Sequence, residues 1–477
     1  MPQDPNVPDS PTPDNGDDGL PEELAAVFRG LTGGADLPPE MVAQLKAMGL
    51  ADADPAAVSA MAQQVRAMFT GPVHDGIDPE TATTVARQVV AAAGDRAMTD
   101  HDVRLADQAG TVATLWLDEV TDLEAPGLRG RAWSRAEWVE ATLPVWADVV
   151  APLADGVAGA MTATMRDKLG NGIPDGALEG MGLPAGIDPG AVLGQIEPMM
   201  RRMGTSLVTA QLGQAVGTLA SDLVTATEVC LPLVRDNSLV LLPDNITAFA
   251  DGLGVDIDQV WLYLAVREAA RLRLFHAVPW LGPQILTAVQ DYARGIAIDT
   301  DAIEEALGRI DPTDAAAMQE ALGGSLFRPE PSPAQKAALS RLETWLALAE
   351  GWVDVVTARA TAGHLPQAEA LAETVRRRRA TGGPTQKAFA GLVGLDLRPR
   401  RLRDAANLFA ALEEAQGREG RDAAWAHPDV APTSADLDDV LGYAQRSRTA
   451  GSDIDAELDA LLRGDGEAPG GVPGGQE

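Results

Sequence analysis

The 477-residue chain holds one cysteine, Cys230, and only five histidines: His74, His101, His276, His364 and His427. One cysteine excludes an internal disulfide and a cysteine-built zinc site. No two histidines stand at short metal-ligand spacing, so no imidazole pair can chelate a metal from adjacent turns of one helix. Positive charge is scarce as well. Thirty-seven Lys and Arg face 70 Asp and Glu, a net charge of -33. Such a chain repels phosphate backbones and anionic lipid, which argues against a nucleic-acid or membrane partner. No apolar run approaches the roughly 20 residues that cross a bilayer. The first residues are acidic and proline-rich, without the basic and apolar runs of a secretory signal. The expectation is a cytoplasmic protein. Aromatics are only 4% of the chain, so the few there are should anchor the core, Trp133, Trp138 and Trp146 among them. There is no P-loop, no dinucleotide fingerprint and no Ser-His-Asp constellation.

Aliphatic side chains are plentiful. Hydrophobic residues make up 45% of the chain, and long Ala-, Leu-, Glu- and Arg-rich stretches lose little side-chain freedom in a helix. The fold class expected is mainly α, a multi-helix body with at most a few short strands. Residues 1–19 are too rich in Asp and Pro to bury a core and read as a disordered acidic tail. Residues 20–77 read as short N-terminal helices, each opening at a proline. The main body should span 78–445. Asp78-Pro79-Glu80, Thr99 with Asp102, and Ser134 with Glu137 are helix starts within it. Residues 155–200, rich in Gly, Met and Pro, read as a flexible insertion. Residues 238–243 are the best strand candidate. Residues 446–477 read as a C-terminal segment and disordered tail. Two arginine-rich runs, 376–379 and 398–403, are expected to pair with the chain's own acids rather than with a phosphate. His427, before Pro428, reads as a turn residue.

One helix stands out. Residues 261–281 are apolar, capped by Asp256 or Asp258 and ended by Pro279. They carry Arg267-Glu268-Ala269-Ala270-Arg271, the spacing of the His-Glu-x-x-His metallopeptidase helix with arginine at both histidine positions. At about 100° per residue, positions 267 and 271 lie about 40° apart on one face, which is why histidines so placed hold one zinc. A guanidinium has no lone pair to offer a metal. His276 lies about 180° from position 267 and about 140° from position 271, so it cannot complete a chelate from a straight helix. The plain reading of Glu-x-x-Arg is a helical ion pair worth tenths of a kcal/mol.

The stretch from Tyr263 to Leu281 resembles the core signature of the zincin-like metallopeptidases, a bacterial family usually described as zinc-dependent metalloproteases or hydrolases. A sister branch is associated with deazaflavin-cofactor biosynthesis. Residues 132–142, 291–296, 350–356, 377–384, 394–403 and 424–429 resemble it too, and the likeness covers roughly 80–440. The resemblance implies a zincin-like helical body, a zinc cofactor and hydrolysis of peptides. It puts Glu268 at the catalytic-base position and Glu350 at a candidate third-ligand position, with Asp354 one turn on. The family pattern reads His-Glu-x-x-His, or Arg-Glu-x-x-His in one branch, and this chain departs further by losing both histidines. Two readings follow. One is a hydrolase with an impaired or absent zinc site. The other is a non-catalytic binding or scaffolding protein, with an unknown protein or peptide partner, in which Arg267 and Arg271 pair with Glu268, Glu350 or Asp354 in place of the metal.

Overall fold

A computed structural model describes residues 76–170, 189–234, 236, 238–295, 331–384, 386–387, 390 and 401–448. They lie within one compact unit, Gly76–Glu477. The acidic tail 1–19, the short helices expected at 21–31, 39–50 and 55–69, residues 171–188 of the expected insertion, the run 391–400 and the segment beyond 448 lie outside the described residues.

Side chains that satisfy the free N–H groups of a first turn set most of the helix starts. Asp78 caps α1 (Pro79–Ala93), accepting from the Glu80 N–H at 3.0 Å. Thr99 and Asp102 close a reciprocal capping box on α2 (Asp100–Asp118). A short strand, β1 (Arg129–Ala132), follows. Ser134 and Glu137 exchange bonds of 3.2 and 2.7 Å at the start of α3 (Arg135–Gly170), which runs on through Pro144 and Pro152. Next comes α4 (Pro189–Ala220). Residues 155–170 and 189–200 of the expected insertion lie in these two helices.

The expected strand is β2 (Ser238–Leu241), buried along its whole length. It pairs in parallel with β1, Arg129 opposite Ser238 and Ala132 opposite Leu241. A parallel pair needs a long crossover, and α3 and α4 lie in it. Residues 224–226 run along the other side of β2, with Ala226 N donating to Val240 O at 3.2 Å and Leu242 N to Val224 O at 3.0 Å. Leu242 precedes α5 (Pro243–Ala250).

Asp256 caps α6 (Ile257–Ala277), and Pro279 follows its last turn. Every residue from Tyr263 to Arg271 is buried. A helix buried on all sides sits at the centre of a core, and α6 packs against α2, β2 and α5 together with two helices that come later. After α6 come α7 (Leu281–Arg294) and α8 (Pro333–Thr361), whose Ser332 and Gln335 form a capping box. Of the two, α8 is the one against α6; α7 lies on α8 and α3. Then come α9 (Ala368–Ala380), which touches α6, and α10 (Leu402–Ala423), broken at Gly417 where φ is 72°, and α11 (Ser434–Asp438). Trp138 and Trp146 are fully buried and Trp133 partly so. Among the described residues no helix is long and apolar enough to cross a membrane.

A second polar anchor holds α8 and α10 in place. The buried Asp422 carboxylate accepts from Thr121 Oγ1 at 2.6 Å, Asp122 N at 3.0 Å, Trp352 Nε1 at 2.8 Å and Arg421 Nε at 2.8 Å. Beside it, Gly351 brings α8 onto α10. A methyl group at Gly351 would lie 2.7 Å from both Ala405 Cβ and Ala406 N, too close for backbone to accommodate. Gly351→Val is expected to cost about 1–3 kcal/mol through overpacking. Gly159 in α3 faces open space, and Gly159→Ala is expected to add about 0.5–1 kcal/mol from helix propensity. Urea unfolding of the two variants checks both signs.

Candidate functional site

Four charged residues of α6 are buried: Arg267, Glu268, Arg271 and Arg273. A buried ion without partners costs several kcal/mol, so the surroundings of each must supply opposite charge. Arg273 on one side of the helix reaches out to Asp118 of α2. The other three face α8, α9 and the 224–230 segment.

Glu350 of α8 is the hub. Its carboxylate is 8% exposed and meets three guanidinium groups. Arg267 Nη2 donates to Oε2 at 2.9 Å, and Arg271 Nε donates to Oε1 at 2.5 Å with Nη2 3.3 Å from Oε2. Arg379 of α9 donates to Oε2 as well. Asp354, one turn further along α8, takes Arg267 Nη1 at 2.6 Å and Arg379 Nη1 at 3.2 Å. Glu268 is fully buried and looks the other way. Its Oε1 accepts from Thr227 N at 2.9 Å, and its Oε2 from Thr227 Oγ1 at 2.8 Å and, weakly, from Arg271 Nη1 at 3.5 Å. Thr227 is placed by the segment beside β2, itself tied to α3 where Trp138 Nε1 donates to Ala226 O at 3.2 Å.

The two glutamates end in opposite electrostatic states. Burial opposes the charge of Glu350, but Arg271, Arg379 and Arg267 outweigh it and hold the carboxyl well below the usual carboxylate range. Burial likewise opposes Asp354, and Arg379 and Arg267 again win. For Glu268 burial prevails over Arg271 and the threonine donors, and its pKa is raised. Cys230 lies next to this centre with φ of 59°. Burial, then the Glu350 charge, push its thiol far up, so it stays protonated and unreactive.

The site residues expected from sequence thus fall into one centre: Arg267, Arg271, Glu350 and Asp354 in mutual contact, with Glu268 on its far side. His276 is exposed at the end of α6, and His101, His364 and His427 are exposed elsewhere. Thr227 and Cys230 were not singled out for this centre, and Arg379 only as one of the run 376–379 expected to pair with the chain's own acids. A signal existed for the last. Leu371 and Val375 are the buried positions of α9, and a residue three or four places beyond Val375 shares their face. That picks Arg378 and Arg379 out of the arginine run, leaving Arg376 and Arg377 to pair with Glu373 at the surface.

Does this donor set fit zinc? Zinc takes lone pairs from imidazole, thiolate or carboxylate. Positions 267 and 271 offer none, and both oxygens of Glu350 already accept from arginines. Among the described residues no group of three or more His, Cys, Asp or Glu is placed to hold a metal ion. The residues present do not fit the metal.

A long buried helix with the His-Glu-x-x-His spacing, set in a mainly helical body, defines a zincin-like architecture with an arginine–carboxylate centre. The sequence model of the zincin-like metallopeptidases matches residues 77–444, and the chain belongs to that family. Its fold is shared with the crystal structure of a candidate hydrolase with a novel fold from Chloroflexus aurantiacus. The likeness has a TM-score of 0.50 at 17% identity and covers 78% of this chain and 98% of that one. No curated protein matches the chain.

The two glutamates should respond oppositely to neutralisation. Glu350→Gln leaves three buried guanidinium groups short of charge and is expected to cost about 3–5 kcal/mol. Glu268→Gln removes a charge that burial disfavours and is expected to leave stability at neutral pH unchanged or higher. The pH dependence follows the same signs. Glu350 and Asp354 have lowered folded-state pKa values, so their contribution is complete above the unfolded values of about 4 and is lost as pH falls through the folded ones. Glu268 has a raised value, so its contribution declines as pH rises from about 4 through its folded pKa. Denaturant unfolding of both variants across the acid range measures all of this.

Proposed function

We propose that this chain keeps the zincin-like fold but not zinc-dependent hydrolysis, and that it works as a non-catalytic binding protein in the cytoplasm. The observation that carries the reading is the triple arginine contact on Glu350. Two of those arginines stand where the family's helix places its metal-binding histidines, and Glu350 stands at the candidate third-ligand position. The cations occupy the place of the metal and do its structural work, holding α6 to α8 and adding α9. Glu268, at the position of the general base, is sealed from solvent and bonded to Thr227. A general base needs access to a water, and the Glu268 carboxylate is fully buried and accepts from Thr227 and Arg271.

The family's common activity makes the competing reading specific: zinc-dependent hydrolysis with Glu268 as base. Metal analysis of the purified full-length chain and a chelator-controlled peptide-cleavage assay separate the two. The expected result is substoichiometric zinc, melting indifferent to chelator, and no cleavage that depends on metal. The double variant Arg267→His with Arg271→His is expected to gain zinc, since it restores two imidazoles on one helical face. Stoichiometric zinc in the native chain, or chelator-sensitive cleavage abolished by Glu268→Gln, would overturn the proposal.

A further inference from the structure

The helix that brings Arg379 to the centre is thinly attached along the rest of its length. From Ala368 to Ala380 only Leu371 and Val375 are buried, and no side chain caps the first turn of α9. Its last turn is held by polar contacts. Arg379 donates to Glu350 and reaches Asp354 at 3.2 Å. Arg378 donates to the Asp222 carbonyl, stands 3.5 Å from Glu228, and lies over the Phe249 ring, 5.4 Å from its centroid. Two adjacent arginines thus tie α9 to α8, to α5 and to the segment that precedes β2.

The two ends of α9 differ. Before it, Leu365 is buried, the His364 ring stacks on Trp116 at 4.5 Å, and Gln367 N donates to Gln259 Oε1 at 3.2 Å. Residues 364–367 are therefore fixed to α2 and α6. After it, Gly382 has φ of 92° and Gly383 follows. Backbone of this kind can absorb a change of direction where an element moves. Closed, α9 leaves room for about one water molecule over Arg267 and Arg271. A partner reaches those two guanidinium groups from this side only when α9 moves.

We propose that α9 is a lid, latched by Arg378 and Arg379, that pivots on residues 364–367 and uncovers the Arg267 and Arg271 face of α6 while α6 and α8 stay folded. Lifting α9 exposes two buried apolar side chains and breaks a few ionic contacts, whereas α6 and α8 are buried along much of their length. Segments with few buried apolar contacts open while the rest of a protein holds. Arg267 and Arg271 keep Glu350 as their partner when Arg379 leaves, since each bonds to it directly. No ion is then left buried without a counter-charge. A free helix of 13 residues is marginal in water, so α9 unwinds once detached. The inference goes beyond the binding reading and does not rest on it, because a lid serves a hydrolase equally well.

Hydrogen exchange and thiol labelling of the full chain at low urea test it. Cys230 is the only thiol and lies buried beside Glu350, Arg271 and Arg379, so it reports on the uncovering of the centre. The amides of α9 and the Cys230 thiol are both expected to react through an opening whose urea dependence is a fraction of that for the amides of α6 and α8, which report global unfolding. Arg378→Gln is expected to speed both about tenfold, the loss of one charge-assisted hydrogen bond, and to leave exchange in α6 within about twofold. Arg376→Gln, which removes a surface arginine outside the latch, is expected to change neither. Cys230 labelling with the full urea dependence of global unfolding, exchange in α9 without labelling of Cys230, or equal acceleration of α6 by Arg378→Gln would each overturn the lid. If Arg378→Gln does not fold, the urea dependence in the unaltered chain decides. Failure here leaves the zinc-free reading intact, since metal content and peptide cleavage are measured separately.

Discussion

Three guanidinium groups around one buried carboxylate hold the centre of this protein together. None of the partners could be buried alone, since an unpaired ion inside a protein costs several kcal/mol. Glu350 therefore ties the position of α8 to α6 through Arg267 and Arg271, and that of α9 to both through Arg379. Asp354 repeats the bridge one turn along. The rest of the body supports this geometry. Gly351 lets α8 lie against α10 directly behind Glu350, and the bonds to Asp422 fix α10 against α8 and the end of α2.

The same positions in a working zinc site would be held by a single divalent ion. A guanidinium link and a zinc link would respond to different conditions. A zinc link competes with protons for its histidines, because ligands must be deprotonated to bind. An arginine link does not, because arginine stays charged at any pH the protein meets. The titrating partners here are carboxylates whose pKa values the arginines have lowered. A centre of this kind draws its attraction from carboxylates held ionised by the arginines beside them.

Much of the fold could be read from the chain because its signals are local. Asp78, Thr99, Ser134 and Asp256 cap helices within two or three residues of themselves, and each cap is present. The strand at β2 is announced by an unbroken apolar run. Its partner β1, Arg129-Gly130-Arg131-Ala132, is not, since its character comes from position. Gly130 lies so close to α2 that a side chain would fall on the Ala106 carbonyl, a contact no sequence window contains. The site divides the same way. Arg267, Glu268 and Arg271 were found through helical spacing on a single element. Glu350 and Asp354 were found through resemblance. Thr227 was not found, because its bond to Glu268 depends on a loop running along a strand edge 41 residues away.

Displaced pKa values in one pocket are a common mark of catalysis, since acids and bases are tuned by burial and neighbouring charge. Glu268 and Glu350 meet that description: one raised, one lowered, and both in contact with Arg271. The cause nevertheless lies in structure. The cations gather on the α8 side because Arg267 and Arg271 of α6 project toward Glu350 and Arg379 arrives from the same direction. That leaves Glu268 with the backbone and hydroxyl of Thr227 and a distant share of Arg271. Such an imbalance arises whenever three cations are divided unequally between two acids. The Glu268 carboxylate itself is fully buried. The displaced values here are the electrostatic consequence of closing a helix junction with arginine.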